Sequence, residues 1–353
     1  MKIAFLAAAG SPRTIKWANA MIKRGHEVSV FSLPEHKDQH QELSDQVVVT
    51  YLPHTEAEGG LKKNVKALKE YMGAGYDVIN AIDAQTYGFL AVKTKLDRVV
   101  LTLTGKDVYT CAQNGKKGFV VKSLKHAQAA IVCAPNVQTQ AEAVFKKEKK
   151  YFTVPFGVDT QHFVKKDKKK DDTLTFGSLK LLNEGCGVDL VIEAFARFIE
   201  NTGTEAKLLI AGSGEMEQKL QTKVQNMGIS DKVKFLGYIV NEKMPDTIGK
   251  MDIVVRMNEM ESFGVDGIEA MACEKPFISS DTVGASEYIL NSVTGFMVRA
   301  GNTKACADIM EKLAKDETLR AEMGQKARGD VEEHYELSKC AAKYEDALKT
   351  VAG

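Results

Sequence analysis

"KIAFLAAAGSPRTIKWANAMIKRGHEVSVFSL", residues 2–33, predicts a strand, a turn, a helix and a second strand in that order. The apolar run at 2–8 indicates a buried strand. The helical stripe of apolar side chains consists of Ile15, Trp17, Ala18, Met21 and Ile22. Gly25 is the expected end of this helix. Because a helix between two strands connects parallel neighbours, this stretch predicts the first unit of a parallel sheet covered by helices.

The same alternation of strands and helices continues through both halves of the chain. In the first half, further strands are expected at 46–52, 76–82, 98–104 and 129–135, with helices near 61–72, 85–95 and 116–127. In the second half, strands are expected at 173–179, 206–214, 232–239, 251–257, 275–281 and 295–298, with helices at 187–202 and 216–228. The sequence therefore predicts an α/β fold with two consecutive doubly wound, Rossmann-like domains.

A charged stretch with almost no apolar residues, "VKKDKKKDD" at 164–172, separates the two halves. Such a composition is typical of a linker. We predict an N-terminal domain over 1–165, a C-terminal domain over 172–334, and a last helix over 335–353 that packs back on the first domain. The length of 353 residues suits two domains.

The composition excludes several classes of protein. A formal net charge of +1 rules out a strong global field, and with few clustered aromatic residues it makes nucleic acid a poor partner. No run approaches the roughly 20 apolar residues that cross a bilayer, and "MKIAFLAAAG" is interpreted as a strand rather than a signal peptide. The six cysteines are scattered without a CxxC pair, which argues against a structural zinc site and favours a cytoplasmic location.

Glycine turns follow several of the predicted strands, at the edge where parallel sheets bind ligands. The candidates in the first two turns are Gly10, Ser11 and Arg13, and then Thr104, Lys106 and Asp107. Each turn could hold an anion or a substrate at the start of the following helix. Ordinary surface turns with solvated side chains explain both patterns about equally well.

A third turn follows the strand expected at 173–179, which contains Ser178. Lys180 lies between this strand and the next helix, where a positive charge is unfavourable unless an anion joins it. We interpret Lys180 as a phosphate-binding residue, and a solvated lysine is the alternative. Gly212 belongs to a similar turn after the next strand.

"ESFGVDGIEAMA", residues 261–272, places two glutamates eight residues apart around a glycine. Gly264 permits close approach of the backbone, and Val265 begins a helix whose free N–H groups favour negative charge. Glu269 lies about one turn inside this helix among apolar residues, so its carboxylate is expected to need a polar partner. A ribose diol would supply two hydroxyl donors. The alternative is that Glu269 only complements the helix dipole.

Together with the following "GASEYILNSVTGFMV", this stretch resembles the E-x7-E signature of retaining glycosyltransferases of the GT-B fold, the large group called family 4. Further stretches follow the usual order of that family: "RGHEVSVF", "PFGVDTQHF", "GVDLVIEAF", "AGSGEMEQKL" and "KVKFLGYI". The resemblance implies two Rossmann-like domains that face each other across a cleft. It also implies transfer of a sugar from a UDP- or GDP-linked donor to a glycan or lipid-linked acceptor in polysaccharide or glycoconjugate biosynthesis, with no metal or cofactor.

The resemblance also implies roles for individual residues. Glu269 would bind the ribose hydroxyls, Glu261 the hydroxyls of the transferred sugar, and Lys180 the diphosphate leaving group. The other donor-binding candidates are Ser178, Gly212, Ser262, Phe263, Gly264 and Val265, with Gly10, Ser11 and Arg13 from the first turn. Thr104 and Lys106 are the candidates on the acceptor side.

Two positions depart from the family pattern, since Thr104 stands where many relatives carry a histidine and Ser178 where an arginine is common. These departures motivate an alternative, a GT-B protein that binds a nucleotide sugar but has lost transfer. A third hypothesis, a nicotinamide oxidoreductase, is disfavoured because no GxGxxG fingerprint is present.

A basic stretch, "NGKKGFVVKSLKHAQ" at 114–128, mixes lysines with apolar residues. Such a helix can lie on an anionic membrane, which would suit a lipid-linked acceptor at the inner leaflet. The alternative is a helix that packs on the domain and exposes a solvated lysine face.

Overall fold

The computed structural model describes residues 1–73, 75–168 and 173–352, and it divides into two compact units. The first unit contains residues 1–156 and 338–352, and the second contains residues 157–337. The end of the predicted linker, at 169–172, lies outside the described residues.

The first unit is built on seven parallel strands: β1 (Lys2–Leu6), β2 (Glu27–Ser32), β3 (Val48–Tyr51), β4 (Val78–Ile82), β5 (Val99–Thr102), β6 (Ala129–Val132) and β7 (Lys150–Thr153). Their order across the sheet is β3-β2-β1-β4-β5-β6-β7. The helices are α1 (Pro12–Lys23), α2 (Gly60–Met72), α3 (Tyr87–Thr94), α4 (Lys106–Tyr109), α5 (Lys117–His126) and α6 (Pro135–Val144). The central strands are buried along their whole length, as expected for a parallel sheet covered on both faces.

The second unit is built on six parallel strands: β8 (Leu174–Leu179), β9 (Ala206–Ala211), β10 (Val233–Gly237), β11 (Ile253–Arg256), β12 (Phe277–Ser280) and β13 (Phe296–Val298). Their order is β10-β9-β8-β11-β12-β13. The helices are α7 (Val188–Thr202), α8 (Glu217–Asn226), α9 (Met244–Gly249), α10 (Val265–Ala272), α11 (Thr303–Lys315) and α12 (Glu317–His334). The predicted α/β class with two Rossmann-like sheets is confirmed.

The last helix, α13 (Leu337–Ala352), packs mainly on the first unit. The rings of Trp17 and Tyr344 stack with their centroids 4.2 Å apart. The Tyr344 hydroxyl donates to Asn80 Oδ1 at 2.9 Å. Aromatic burial of this kind makes the helix part of the hydrophobic core rather than an exposed appendage.

The boundary between the units falls at Gly157, earlier than the predicted domain end at 165. Val158 forms a β-bridge with Glu336. The guanidinium group of Arg328 donates to the carbonyl oxygens of Phe163 at 2.9 Å and Thr160 at 3.0 Å. These hydrogen bonds assign residues 157–165 to the second unit.

Besides the four-residue helix α4, two elements of the first unit, α6 and β7, are absent from the sequence prediction. The strand β7 lies at the edge of the sheet and is only half buried, and α6 contains few apolar residues. Neither therefore carries the apolar periodicity by which an element is detected in a sequence.

The contacts of Glu345 in α13 predict a pH-dependent stability of the first unit. The pKa of Glu345 is lowered to about 2, first by a hydrogen bond from Lys349 and then by the contact with Arg24. Burial acts in the opposite direction but is outweighed. Because the folded pKa is below that of the unfolded chain, this stabilisation is present above pH 4.5 and is lost as the pH falls toward 2.

We expect Glu345→Gln to lower the free energy of unfolding by about 1 kcal/mol at pH 7, since both cationic partners are partly solvated. The difference from the unmodified chain should disappear near pH 2 in urea titrations. Asp346→Asn, an exposed neighbour on the same helix, is the matched control. An unfolding free energy of Glu345→Gln that falls with acidification as steeply as that of the unmodified chain would contradict this assignment.

Candidate functional site

The strand order of the second unit creates a crevice at the carboxyl ends of β8 and β11. These strands are neighbours, but the chain leaves β8 through α7 toward β9 and leaves β11 through α10 toward β12, in opposite directions across the sheet. Such a switch point is where open parallel sheets bind ligands. The loops after these two strands, 180–187 and 257–264, therefore define the candidate site.

An ion pair joins the two loops. Lys180 is the first residue after β8, and its Nζ donates to Glu261 Oε2 at 2.5 Å. Both side chains are largely buried, with 19% and 15% of their surface exposed. Burial opposes the charge on Lys180, but Asp266 and Glu261 outweigh that effect and raise the pKa of its ammonium group. The site thus holds a permanent positive charge next to a carboxylate.

A buried arginine, which the sequence did not single out, supports the loop that carries Glu261. Arg256 at the end of β11 is 1% exposed and its NH1 donates to Asp266 Oδ1 at 3.0 Å. Its NH2 donates to Ser279 Oγ at 3.1 Å. Because a buried cation requires such partners, this pair fixes the first turn of α10 against the sheet.

Gly264 allows this arrangement in two ways. It caps α10 at a φ of 90°, a conformation that favours glycine. A Cβ atom at this position would lie 1.8 Å from Arg256 NH1. The predicted close approach of the backbone at Gly264 is therefore directed toward the arginine side chain.

Three other candidates of the E-x7-E stretch lie just before α10 or at its first residue. The ring of Phe263 is buried against Tyr288 and Tyr335, with centroids 5.5 and 5.7 Å apart, so only its backbone remains for a ligand. Ser262 is buried, and its backbone N–H donates to Glu261 Oε1 at 3.2 Å. Val265 begins the helix and is half buried.

Glu269 lies one turn inside α10 and is half buried, although its neighbours Ile268, Ala270 and Met271 are fully buried. The expectation that its apolar company would bury it is therefore too strong. Its side chain remains accessible to a polar partner.

Ser178 lies within β8, whereas Gly212 lies against the backbone of Lys180. Ser178 is a buried residue within β8, 1% exposed. At Gly212, φ is 150° and an added Cβ would lie 2.0 Å from the carbonyl oxygen of Lys180. Gly212 therefore lets the loops after β8 and β9 approach closely.

The first unit has its own switch point, between β1 and β4. Gly10 follows β1 and its N–H donates to the carbonyl of His36 at 3.0 Å. Ser11 precedes α1 without capping it through its side chain, and Arg13 lies 4.9 Å from the ring of Phe156. Packing against residues 36–38 thus accounts for the glycine, because a Cβ there would lie 2.3 Å from the carbonyl oxygen of Lys37.

The turn after β5 is held by a buried carboxylate. Asp107 accepts hydrogen bonds from the backbone N–H groups of Thr104 at 3.0 Å and Ala84 at 2.8 Å. Burial and the nearby Asp83 raise the pKa of Asp107 to about 7. Thr104 is buried, whereas Lys106 is exposed. Asp107 thus ties two loops together.

The basic stretch at 114–128, for which the sequence leaves a membrane helix and a packed helix open, contains α5, whose apolar residues lie inside the fold. Val120 and Leu124 are buried, and Phe119 stacks on Phe89 with ring centroids 3.9 Å apart. Of the two interpretations, the helix that packs on the domain is confirmed, and a membrane helix that inserts this apolar face is excluded because the face is already covered. The lysine face of α5 remains in solvent.

Within the described part of the chain, no helix is long and apolar enough to cross a bilayer. Among the same residues, no three His, Cys, Asp or Glu side chains converge in a way that could hold a metal ion.

Two family models match consecutive parts of the sequence. "Glycosyl transferases group 1" matches residues 159–330, and "Glycosyl transferase 4-like" matches residues 2–134. The chain belongs to the group 1 glycosyltransferases. A curated relative, the N-acetyl-alpha-D-glucosaminyl L-malate synthase of Bacillus anthracis, is 28% identical over 257 residues. That match covers 70% of this chain and 66% of the relative, so the chain spans just under two thirds of the relative's length.

Solved structures of other proteins share the fold of this group 1 chain. Sucrose-phosphate synthase from Thermosynechococcus elongatus superposes with a TM-score of 0.87 at 19% identity, over 99% of this chain and 98% of that one. HepE of Anabaena, in complex with UDP and glucose, superposes with a TM-score of 0.80 at 19% identity, over 99% of this chain and all of that one. These similarities establish the GT-B fold.

The contact between Gly264 and Arg256 generates a stability prediction. We expect Gly264→Ala to lower the free energy of unfolding by about 3 kcal/mol, because the new methyl group is strained and displaces a buried cation. Gly228→Ala is the matched control, since Gly228 has a φ of 67° and open space around it. Its cost should be about 1 kcal/mol, for backbone strain alone. Equal losses for the two variants in urea unfolding would show that the arginine contact is unimportant.

Proposed function

We propose that this protein is a retaining, metal-independent glycosyltransferase that moves a sugar from a nucleotide-sugar donor to a hydroxyl of an acceptor. The observation that carries the proposal is the ion pair of Lys180 and Glu261 at the switch point of the second unit. Membership of the group 1 family supports the same conclusion.

The paired charges fit the two parts of such a donor. An ammonium group attracts a diphosphate and stabilises the negative charge that develops on it as the glycosidic bond breaks. A carboxylate accepts hydrogen bonds from sugar hydroxyls. Because Lys180 and Glu261 are in contact, the diphosphate and the transferred sugar would lie next to each other, as they are in a nucleotide sugar.

The position of α10 supports binding of the nucleotide. Backbone N–H groups at its start favour a phosphate, and Glu269 follows one turn later on the same helix. We assign Glu269 to the ribose hydroxyls. UDP is the first nucleotide to test, since one solved structure with the same fold contains UDP and glucose.

Retention of configuration needs no protein nucleophile in this proposal. The leaving phosphate can itself accept the proton of the incoming hydroxyl, so a missing histidine at Thr104 does not prevent transfer. Thr104 and Lys106 remain proposed acceptor-side residues.

We also propose contact with an anionic membrane. This proposal rests on exposed lysines and does not use the apolar face of α5. Helix α2 packs on α3, and α3 packs on α5. Together these helices contain eight lysines and one acidic residue, Glu70, in a chain with a net charge of +1. The exposed lysines of these three helices, together called the lysine face from here on, are Lys62, Lys63, Lys66, Lys69, Lys93, Lys117, Lys122 and Lys125. Lysines near an anionic bilayer contribute about 1 kcal/mol each. A lipid-linked or membrane-bound glycan is therefore the proposed acceptor.

A GT-B protein that binds the donor without transferring the sugar is the second candidate, motivated by Thr104 and Ser178. A thermal-shift panel of UDP-, GDP- and ADP-linked sugars would identify the donor. Slow release of free sugar and nucleoside diphosphate from that donor supports the enzyme. Binding without turnover, with acceptors included, supports the second candidate.

The two glutamates are expected to separate affinity from transfer. Glu269→Ala should weaken binding of the nucleoside diphosphate by about 50-fold, because two hydroxyl hydrogen bonds are lost. Glu261→Ala should leave that affinity equal or stronger, since Lys180 is released, while transfer falls by at least about 100-fold. Calorimetry measures the affinity for the nucleoside diphosphate, and donor turnover measures transfer. Glu274→Ala, just beyond α10, is the control, and parallel losses in both glutamate variants would overturn these roles.

The lysine face is tested with vesicles. Replacing Lys62, Lys63, Lys66 and Lys69 together by glutamine should weaken binding to phosphatidylglycerol-containing vesicles by at least about tenfold. The control with the same change of charge replaces Lys207, Lys219, Lys234 and Lys250, which are exposed in the second unit. Vesicles of phosphatidylcholine alone should bind neither protein. Equal binding of both fourfold variants would refute a specific membrane-facing surface.

A further inference from the structure

Asn258 lies beside the ion pair and is not explained by the family resemblance. It follows β11 by two residues, and it is 1% exposed. Its Nδ2 donates to the carbonyl oxygen of Met260 at 2.7 Å and lies 3.4 Å from Glu261 Oε2. The same carboxylate oxygen accepts the hydrogen bond from Lys180. The side-chain amide of Asn258 is therefore a second donor to the oxygen that joins the two loops.

The other half of this amide has no partner. Within residues 1–73, 75–168 and 173–352, Asn258 Oδ1 is buried and makes no hydrogen bond. A buried acceptor without a donor costs roughly 1–3 kcal/mol. The presence of asparagine at position 258 therefore calls for an explanation other than stability.

The backbone around Asn258 is fixed from the opposite side. At Gly187, where the loop after β8 enters α7, φ is 70° and an added Cβ would lie 2.4 Å from Met257 and 2.5 Å from Asn258 N. The two loops of the switch point thus meet at Asn258 as well as at Lys180. This contact fixes the backbone from which the Asn258 side chain extends toward Glu261.

Position 258 suits a side chain that donates a hydrogen bond and carries no charge. It orients the carboxylate of Glu261 without adding charge, so the pair with Lys180 stays balanced. The other charged groups around the pair are Arg256 and Asp266, which also balance each other. A second carboxylate at position 258 would make the site net negative and would repel a diphosphate.

We propose that Asn258 is a positioning residue that holds Glu261 toward the transferred sugar and keeps the donor site free of excess negative charge. This role rests on the proposed function and deepens it. Asn258 acts through Glu261 and Lys180 and takes no part in the bond changes.

The first test uses Asn258→Asp, which keeps the shape of the side chain. At pH 8 the new carboxylate should weaken UDP binding by at least about tenfold, measured by calorimetry, and lower kcat further. As the pH falls toward 5, protonation of this carboxyl should restore a donor and recover part of both losses. Asn226→Asp, an exposed residue of α8, is the control for added charge and should behave like the unmodified chain.

The second variant, Asn258→Leu, covers the case in which the aspartate variant does not fold. Leucine removes the unpaired acceptor, so we expect a folded protein whose UDP affinity changes by less than about threefold. Its kcat should fall by at least about tenfold, because Glu261 loses its orienting donor.

The outcomes separate this role from the function itself. If the unmodified protein binds UDP and turns over a UDP-sugar while both variants match it at every pH, Asn258 has no positioning role. If the variants only lower the unfolding temperature, with kcat unchanged in the folded protein, the role is structural and the proposal fails. If the unmodified protein neither binds nor turns over UDP-, GDP- or ADP-linked donors, the proposed function itself is wrong.

Discussion

The contact between Lys180 and Glu261 depends on the strand order of the second sheet. The two residues are 81 positions apart, and they meet because β8 and β11 are neighbours whose helices leave in opposite directions. The gap between those helices exposes the carboxyl ends of both strands. Opposite charges placed there cannot be solvated as freely as on the surface, so they bind each other.

Close approach of backbones is the second constraint on this site. Gly264 makes room for Arg256, Gly212 makes room for the carbonyl of Lys180, and Gly187 makes room for residues 257 and 258. At each position a single methyl group would clash with a protein segment that packs against the glycine. These three glycines of the site therefore serve mainly to bring protein segments together.

The two units use buried carboxylates differently. In the second unit, Asp266 neutralises a buried arginine and Glu261 neutralises a lysine. In the first unit, Asp107 accepts hydrogen bonds from two backbone N–H groups and from the Thr104 side chain, and burial and Asp83 raise its pKa. The first arrangement pairs buried cations with carboxylates, while the second fixes the shape of a turn.

Local patterns along the sequence predict the α/β class, the position of most strands and helices, and the turns that carry Lys180 and the E-x7-E stretch. Apolar periodicity and glycine turns are local properties, so they can be read along the chain. The tertiary structure alone decided that Asn258 and Arg256 join the site, that α5 buries its apolar face, and that residues 157–165 belong to the second unit. Those outcomes depend on which distant segments pack together, and no local pattern contains that information.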